Sequence, residues 1–454
     1  MGKRTGHKRL MYIALVAFVV ILAIAVVSYS VWRGAQYSAL KEEIAKVEAT
    51  GESMDISRYY PEHVNDEDNG SDELLKAASV ARKCLVSAGI LEEGRATLTR
   101  LRLLVINQEW GKLRKFISEC EEEGVFELIE EGLAAPHHSF NTANEVANEH
   151  DSTYLVETRH LFTLLLVRAA TEVEEEATED VYHACESAFT LAHVFDDVPR
   201  LIAQLMSIAH MMTSVEVVEK SHISTYITDD ELQHLQSRLL EFKPVKQMRF
   251  GLVSERAYRH ALLREVATGN VTIRSGNDIT PDSSIGLTYN YSGMSSSLHM
   301  KMYLPVEQLW NIRYFNSILS AIDMQYQELQ TVEPPFTEEQ VNKYVALSWV
   351  GPEHISLGVS KAVARIRCCD IALELLKTPN RVKLGSTEDL LALTGFEGER
   401  ITDPFSGDML RAKVTGEDGK RRLVVYSVGR NGVDDGGSRD SAERDDFAFS
   451  VLLD

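Results

Sequence analysis

The sequence predicts a mainly helical α+β protein with an N-terminal transmembrane helix, an all-helical body, and a C-terminal long helix followed by a small antiparallel sheet. Three observations lead to this prediction. An uncharged run of 23 residues lies near the N-terminus. Apolar residues then recur every three or four positions, as in amphipathic helices. From about residue 409 onward, short runs rich in β-branched residues alternate with turn signals, which is typical of strands.

Length and charge limit the classes of protein that fit. A chain of 454 residues is long enough for about two or three domains. The formal net charge of -21 argues against a nucleic-acid partner, because binding to phosphates requires clustered Lys and Arg. An acidic surface does attract cations.

The uncharged run from Leu10 to Trp32 predicts a membrane-spanning helix, since about 20 such residues cross a hydrocarbon core of roughly 30 Å. Basic residues precede it at Lys3, Arg4, Lys8 and Arg9. The positive-inside rule therefore places residues 1–9 in the cytoplasm and the bulk of the chain outside the cytoplasm. Tyr29 and Trp32 lie where an interfacial aromatic belt is expected. The alternative is a cleaved secretory signal, whose apolar region is usually only about 7 to 15 residues long.

The rest of the chain divides by composition. Residues 33–70 read as a juxtamembrane helix and a polar linker, and residues 71–333 as a helical domain in which the polar stretch 270–297 forms a long loop. Residues 334–454 form the last domain, whose first helix we expect to begin at the N-cap Thr337. Further helices are predicted at 74–91, 97–117, 153–177, 182–193, 198–218, 229–242, 256–268, 306–329 and 360–376.

The five cysteines are Cys84, Cys120, Cys185, Cys368 and Cys369, and none of them forms a Cys-x-x-Cys motif. We therefore interpret them as small apolar residues. A disulfide between Cys84 and Cys120 remains an alternative in an oxidising compartment.

A loop crowded with carboxylates lies between two strand-like segments, 421–427 and 447–453. Ca²⁺ prefers six to eight oxygen ligands from carboxylates, Asn side chains and backbone carbonyls. The loop offers candidate ligands at Asn431, Asp434, Asp435, Asp445 and Asp446, with Asp440 as a further donor. Glycines at 432, 436 and 437 would let backbone carbonyls turn inward. The sequence thus indicates a calcium site, or else a solvated acidic loop without a bound ion.

The order of motifs in this region resembles the C-terminal domain of the type II secretion major pseudopilin (general secretion pathway protein G). The Asp-Pro-aromatic turn of that family matches Asp403, Pro404 and Phe405. The family's Ser-x-Gly-x-Asp-Gly loop and its closing acidic pair match Ser427, Gly429, Asn431, Gly432, Asp445 and Asp446. The resemblance implies a long helix packed on a small sheet, calcium in the loop, and a role in assembly.

Two features depart from that family. Asn431 replaces the usual loop aspartate, and the N-terminus lacks a prepilin cleavage site. We therefore do not expect a conventional pilus subunit. The whole chain also resembles a group of uncharacterised bacterial single-pass membrane proteins that have a helical middle and this ending.

No spacing of catalytic residues is evident. Ser254 and Ser292 lack the Gly-x-Ser-x-Gly elbow, and His137 and His138 lack a zinc-ligand motif. We expect a non-catalytic envelope protein that interacts with other envelope or secretion-system proteins. The alternatives are a peptide- or glycan-binding protein in which the stretch 270–297 is a lid, and a hydrolase whose site has no recognisable motif.

Overall fold

The computed structural model describes residues 3–60, 65–90, 109–140, 153–175, 178–221, 227–268, 296–324, 326–331, 352–377, 386–417, 420–437 and 446–453. The α-helices in these residues are α1 (Lys3–Ala49), α2 (Ser71–Ser87), α3 (Trp110–Glu122), α4 (Val125–Ala134), α5 (Thr153–Glu175), α6 (Thr178–Ala192), α7 (Leu201–Lys220), α8 (Asp229–Glu241), α9 (Pro244–Thr268), α10 (Ser296–Ile322), α11 (Tyr326–Thr331), α12 (Pro352–Leu376) and α13 (Thr387–Ala392). The strands are β1 (Arg411–Glu417), β2 (Lys420–Ser427) and β3 (Phe447–Leu452). The predicted fold class, mainly helical with a small antiparallel sheet, is confirmed.

Helix α1 is a candidate membrane span or signal. Its apolar side chains from Met11 to Val31 are exposed, and none of its most apolar window is buried in the protein. Helix α7 is also long and apolar enough to cross a membrane, but most of it is buried in the helical body. The two helices therefore differ in what surrounds their apolar surface: that of α1 is exposed, whereas most of α7 is covered by the helical body.

Helix α1 continues beyond its apolar part and docks on the body. Leu40 and Val47 are buried against Leu309 and Ile312 of α10. Only the last turns of α1 are amphipathic, and the apolar residues on which they pack lie more than 260 positions further along the chain. The apolar part of α1 is thus connected to the body by a packed helix.

The segment that follows α1 also packs on the body, although its polar sequence predicts a linker. Glu52 accepts a hydrogen bond of 2.6 Å from the guanidinium of Arg256 in α9. Arg256 donates a second bond of 2.6 Å to Asn316 in α10. Ile56 is buried against apolar residues of α9. Residues 50–60 therefore form a bridge between the end of α1 and helices α9 and α10.

Charged residues fill part of the interior of the body. The carboxylate of Glu255 lies 3.2 Å from Nε of Arg259 and 3.6 Å from Nε of Arg200. The Arg200 guanidinium lies 4.0 Å from the centroid of the Tyr258 ring. Glu255 and Arg259 are almost fully buried, so each offsets the desolvation of the other.

Helix α12 connects the body to the sheet. It packs against α7, α8 and α10 on one side and against β2 and β3 on the other. The sheet is antiparallel in the order β1-β2-β3, and Val425 is paired with Phe449. One continuous apolar core extends from Leu74 in α2 to Leu453, beyond β3. Glu219 of α7 adds a polar contact, since its Oε1 accepts a 3.0 Å hydrogen bond from the Ser450 amide.

Several helices are longer than their apolar periodicity predicts. Helix α9 begins at Pro244 rather than Arg256, α10 at Ser296 rather than Val306, and α12 at Pro352 rather than Ser360. Residues 269–295, which make up most of the predicted polar loop, lie outside the described residues, and so does the predicted N-cap Thr337.

The five cysteines are buried and free of disulfides. This agrees with their interpretation as small apolar residues. Cys84 and Cys120, the pair considered for a disulfide, are reduced thiols in hydrogen-bonding contact with one another at the packed surface of α2 and α3.

Candidate functional site

The acidic loop folds over the outer face of the sheet. Val424, Tyr426 and Ala448 lie on this face and are buried, whereas the opposite face packs on α12. Gly437 crosses the Tyr426 ring so closely that a Cβ at this position would lie 3.0 Å from a ring carbon. Its φ of +69° is also one that side-chain-bearing residues rarely adopt. Residues 423–427 of β2 are thus buried on both faces of the sheet, which explains why the apolar alternation of this strand is imperfect.

The start of the loop is fixed by Asp403, which is buried. Its carboxylate accepts hydrogen bonds from the Phe405 amide (2.8 Å), the Ser427 hydroxyl (2.8 Å) and the Val428 amide (2.9 Å). These bonds join the Asp-Pro-Phe turn to the end of β2. Asp403 is therefore a positioning residue that holds the loop against the sheet.

Asp434, which is exposed, and Asp435, which is half-buried, form hydrogen bonds with neighbouring groups of the loop and the sheet. Asp434 accepts hydrogen bonds from the Tyr426 hydroxyl (3.0 Å) and the Gly436 amide (2.9 Å). Asp435 accepts one of 3.2 Å from the Asn431 side chain. Asn431 in turn accepts one of 2.9 Å from the Val433 amide. Three of the predicted ligands thus lie together in a compact turn.

Asp446 differs from the other candidates because it is buried. One carboxylate oxygen, Oδ2, accepts a 2.7 Å hydrogen bond from the Gly437 amide. The other oxygen, Oδ1, is buried and has no hydrogen-bond partner among the residues that the structure describes. Burial raises the pKa of the Asp446 carboxyl, and the nearby Asp435 and Asp434 raise it further. A buried carboxylate oxygen without a donor destabilises the fold unless a proton or a cation compensates it.

Two cations on β1 lie beside the loop, and the sequence analysis missed both. Nζ of Lys413 donates a 2.5 Å hydrogen bond to the Gly436 carbonyl. Nε of Arg411 lies 3.8 Å from the Asp434 carboxylate. The sequence pattern that could have identified them is the alternation of side chains along β1, which places residues 411 and 413 on one face of the strand. These two side chains compensate part of the negative charge of the loop.

The residues present fit a divalent cation only in part. Asp446 offers a buried oxygen, Asp434 and Asn431 offer exposed ones and Asp435 is half-buried; these are the oxygen donors that Ca²⁺ prefers. In the described part of the chain, however, no three Asp, Glu, His or Cys side chains are close enough to share a metal ion. Asp440 and Asp445 lie outside the described residues.

The other sequence candidates are placed elsewhere. Ser254 is buried in α9 and donates to the Phe250 carbonyl of its own helix. Nε2 of His138 lies 3.0 Å from the Gly132 carbonyl, and His137 is exposed. A shallow cleft of about 770 Å³ opens beside Arg411, between the start of α13 and the turn that contains Asp408.

No protein-family model, no curated protein and no solved structure matches this chain.

Proposed function

We propose that this protein is a non-catalytic, membrane-anchored component of the bacterial cell envelope that acts by protein–protein interaction or assembly. In this proposal α1 spans the inner membrane with its N-terminus in the cytoplasm, and the body lies in the periplasm. The support is the exposed apolar surface of α1, together with the basic residues that precede it.

We propose further that the C-terminal domain is pseudopilin-like and stabilised by calcium. The single observation that carries this is the buried, unpartnered Oδ1 of Asp446 beneath an acidic loop. Asp446 would bind the ion, and Asp434, Asp435 and Asn431 would have to move closer to it to complete the site. Asp445 supplies a further carboxylate in the sequence. Calcium would supply the positive charge that compensates this buried oxygen, and it would hold the loop closed over the outer face of the sheet.

The calcium proposal is tested by thermal unfolding of the full chain in detergent, with calcium or with EGTA. We expect calcium to raise Tm for the wild type and to have no such effect on Asp446→Asn. Asp408→Asn is the matched control, because Asp408 is an exposed aspartate of the same domain. Equal Tm values of the wild type in calcium and in EGTA would contradict the proposal.

The interaction role is tested separately, by crosslinking the chain in intact bacterial membranes. We expect crosslinked partners to be envelope or secretion-system proteins, recovered with the wild type in calcium. Recovery of the same partners with Asp446→Asn in EGTA would show that assembly does not depend on the calcium-stabilised loop.

A further inference from the structure

The first turns of α10 lie against the end of the apolar part of α1. The Tyr29 hydroxyl donates a 2.9 Å hydrogen bond to the Met302 carbonyl, and the Arg33 guanidinium donates one of 3.2 Å to the Lys301 carbonyl. Tyr29 belongs to the uncharged segment and Arg33 is the first charged residue after it. Residues 301 and 302 are therefore held at the level where α1 would leave the hydrocarbon core.

Pro305 explains why α10 needs these donors. Proline has no N–H, so it cannot donate to the carbonyl four residues earlier, which is that of Lys301. Pro305 lies inside α10. A proline ring also disturbs the neighbouring turn of a helix, and the carbonyl of Met302 is next in line. Donors from α1 reach both carbonyls, so the contact is matched to a defect that the sequence of α10 creates.

The direction of α10 relative to α1 follows from a second contact. Arg313 of α10 lies 3.8 Å from the Glu43 carboxylate of α1. As the pairing moves from Tyr29 to Glu43 along α1, it moves from Met302 to Arg313 along α10. The two helices therefore run in parallel, and the residues of α10 that precede Lys301 extend toward the apolar part of α1. Five helical residues, 296–300, cover about 8 Å in that direction.

The ring contacts at this level suit a lipid interface. The Tyr29 and Trp32 ring centroids lie 5.8 Å apart, and the Trp32 and Tyr303 centroids lie 5.7 Å apart. Aromatic belts form where such amphipathic rings meet the headgroups. Lys301 is exposed beside them, as expected for a cation that faces lipid phosphates.

We propose that the first turns of α10 are a second membrane-contacting element beside α1, in which residues 301–304 lie in the headgroup region of a phospholipid bilayer and residues 296–300 extend toward the hydrocarbon core. Tyr303 completes the aromatic belt begun by Tyr29 and Trp32, and Lys301 faces lipid phosphates. These contacts would hold the body at a fixed distance from the bilayer surface. This inference rests on the membrane anchoring proposed above.

The test uses fluorophore-labelled full-length protein in vesicles of phosphatidylcholine and phosphatidylglycerol. Lys301→Cys provides the probe position, and Ser320→Cys on the same helix is the matched control, since both residues are exposed. The five native cysteines are buried, so labelling of the folded protein is selective. We expect headgroup-region spin-labelled lipids to quench the probe at 301 several-fold more than the probe at 320, and aqueous iodide to show the opposite order.

Equal quenching at the two positions, or iodide quenching that is as strong at 301 as at 320, would overturn the inference. Flotation of the same samples separates this failure from failure of the anchor, because a protein without a membrane span would not float with the vesicles. Tyr29→Phe supplies a second test. It keeps the ring but removes the donor to Met302, and we expect lipid quenching at 301 to fall while flotation is unchanged. Unchanged quenching in this variant would contradict the role of the Tyr29 contact.

Discussion

The carboxylate of Glu52 and the guanidinium of Arg256 lie 2.6 Å apart, and they join the segment after α1 to the middle of α9. Arg256 is 99% buried, whereas Glu52 is about three-quarters buried. A buried guanidinium needs charged or polar acceptors, and here one of them comes from a stretch that its sequence marks as a linker. The pair therefore makes the juxtamembrane segment part of the folded body.

We expect Glu52→Ala to lower the free energy of unfolding by about 2 kcal/mol, because Arg256 loses its anionic partner but stays buried. Equilibrium denaturation of the detergent-solubilised chain measures this loss. Asp323→Asn is the control. It removes an ion pair to Arg249 whose two side chains are about half exposed, and we expect it to cost less than about 1 kcal/mol. Similar losses in the two variants would contradict the special role of the Glu52–Arg256 pair.

Asp446 is expected to give the C-terminal domain a particular pH dependence in EGTA. Its pKa is raised in the folded state, so the folded state binds more protons than the unfolded state, and this residue's contribution favours folding as pH falls. The stability of the wild type relative to Asp446→Asn should therefore increase from neutral pH toward 3.8, the ordinary aspartate pKa. Denaturant titrations over this pH range measure the difference. A difference that stays constant with pH would show that burial does not perturb Asp446.

We expect Asp403→Asn to destabilise the protein by about 2 to 3 kcal/mol. The Phe405 amide, the Ser427 hydroxyl and the Val428 amide all donate hydrogen bonds to the Asp403 carboxylate. The NH₂ group of an asparagine cannot accept a hydrogen bond, so at least one of these donors would lose its acceptor. Hydrogen exchange at the Val428 amide, followed by mass spectrometry, would show whether the start of the loop is released. A variant with native exchange in this region would contradict the positioning role.

His210 is expected to make the body sensitive to acid. Its ring stacks on Phe162 with 3.8 Å between centroids, and in the described part of the chain neither ring nitrogen has a hydrogen-bond partner. Burial lowers the pKa of His210 to about 3, so the unfolded state binds the extra proton below pH 6.5. The contribution of neutral His210 to the free energy of unfolding is complete above pH 6.5. It decreases by roughly 1.4 kcal/mol per pH unit as the pH falls toward 3.

Between pH 6 and 4 we expect the free energy of unfolding to fall less in His210→Phe than in the wild type. The difference should be roughly the contribution of this one group. The control is His234→Gln, because His234 is about half exposed and lies 3.1 Å from Glu186. An acid-stability curve that is the same in His210→Phe and the wild type would contradict the assignment.

The cysteines allow a test of the packing of α2 on α3. Burial raises the pKa of both Cys84 and Cys120, so their thiols should react slowly in the folded protein. With oxidised glutathione as the electron acceptor, we expect any disulfide to join this pair first, with loss of two protons and two electrons. Mass spectrometry of non-reduced peptides identifies the linkage. A first linkage through Cys185, Cys368 or Cys369 would contradict this expectation.

Local patterns predicted much of the fold. The uncharged run, the helical periodicity and the strand-like segments correctly give α1, most of the body and the three strands. The start of α9 was not predicted because Pro244 and Gly251 are residues that usually interrupt a helix. Proline is tolerated in the first turn of a helix, and Gly251 lies where a Cβ would be only 2.9 Å from the Gln204 side chain.

The candidate site was predictable only in its composition. The cluster of Asn431, Asp434 and Asp435 was evident as a set of oxygen donors, but hydrogen bonding within the loop depends on the fold. Lys413 reaches the loop because β1 pairs with β2, and one-dimensional spacing does not show which strand lies beside a loop. Asp446 was identified as an acidic residue, whereas its burial depends on where the loop folds back.

The contact between Tyr29 and Met302 joins residues 273 positions apart, so the chain closes a very long loop to make it. Such non-local contacts form slowly, because the entropy of closing the loop must be lost first. Ribosomal synthesis delivers α1 long before α10, so Leu40 and Val47 have no apolar surface to pack on when they first appear. The first helix to be made is thus among the last to reach its final neighbours, and the order of folding runs against the order of translation.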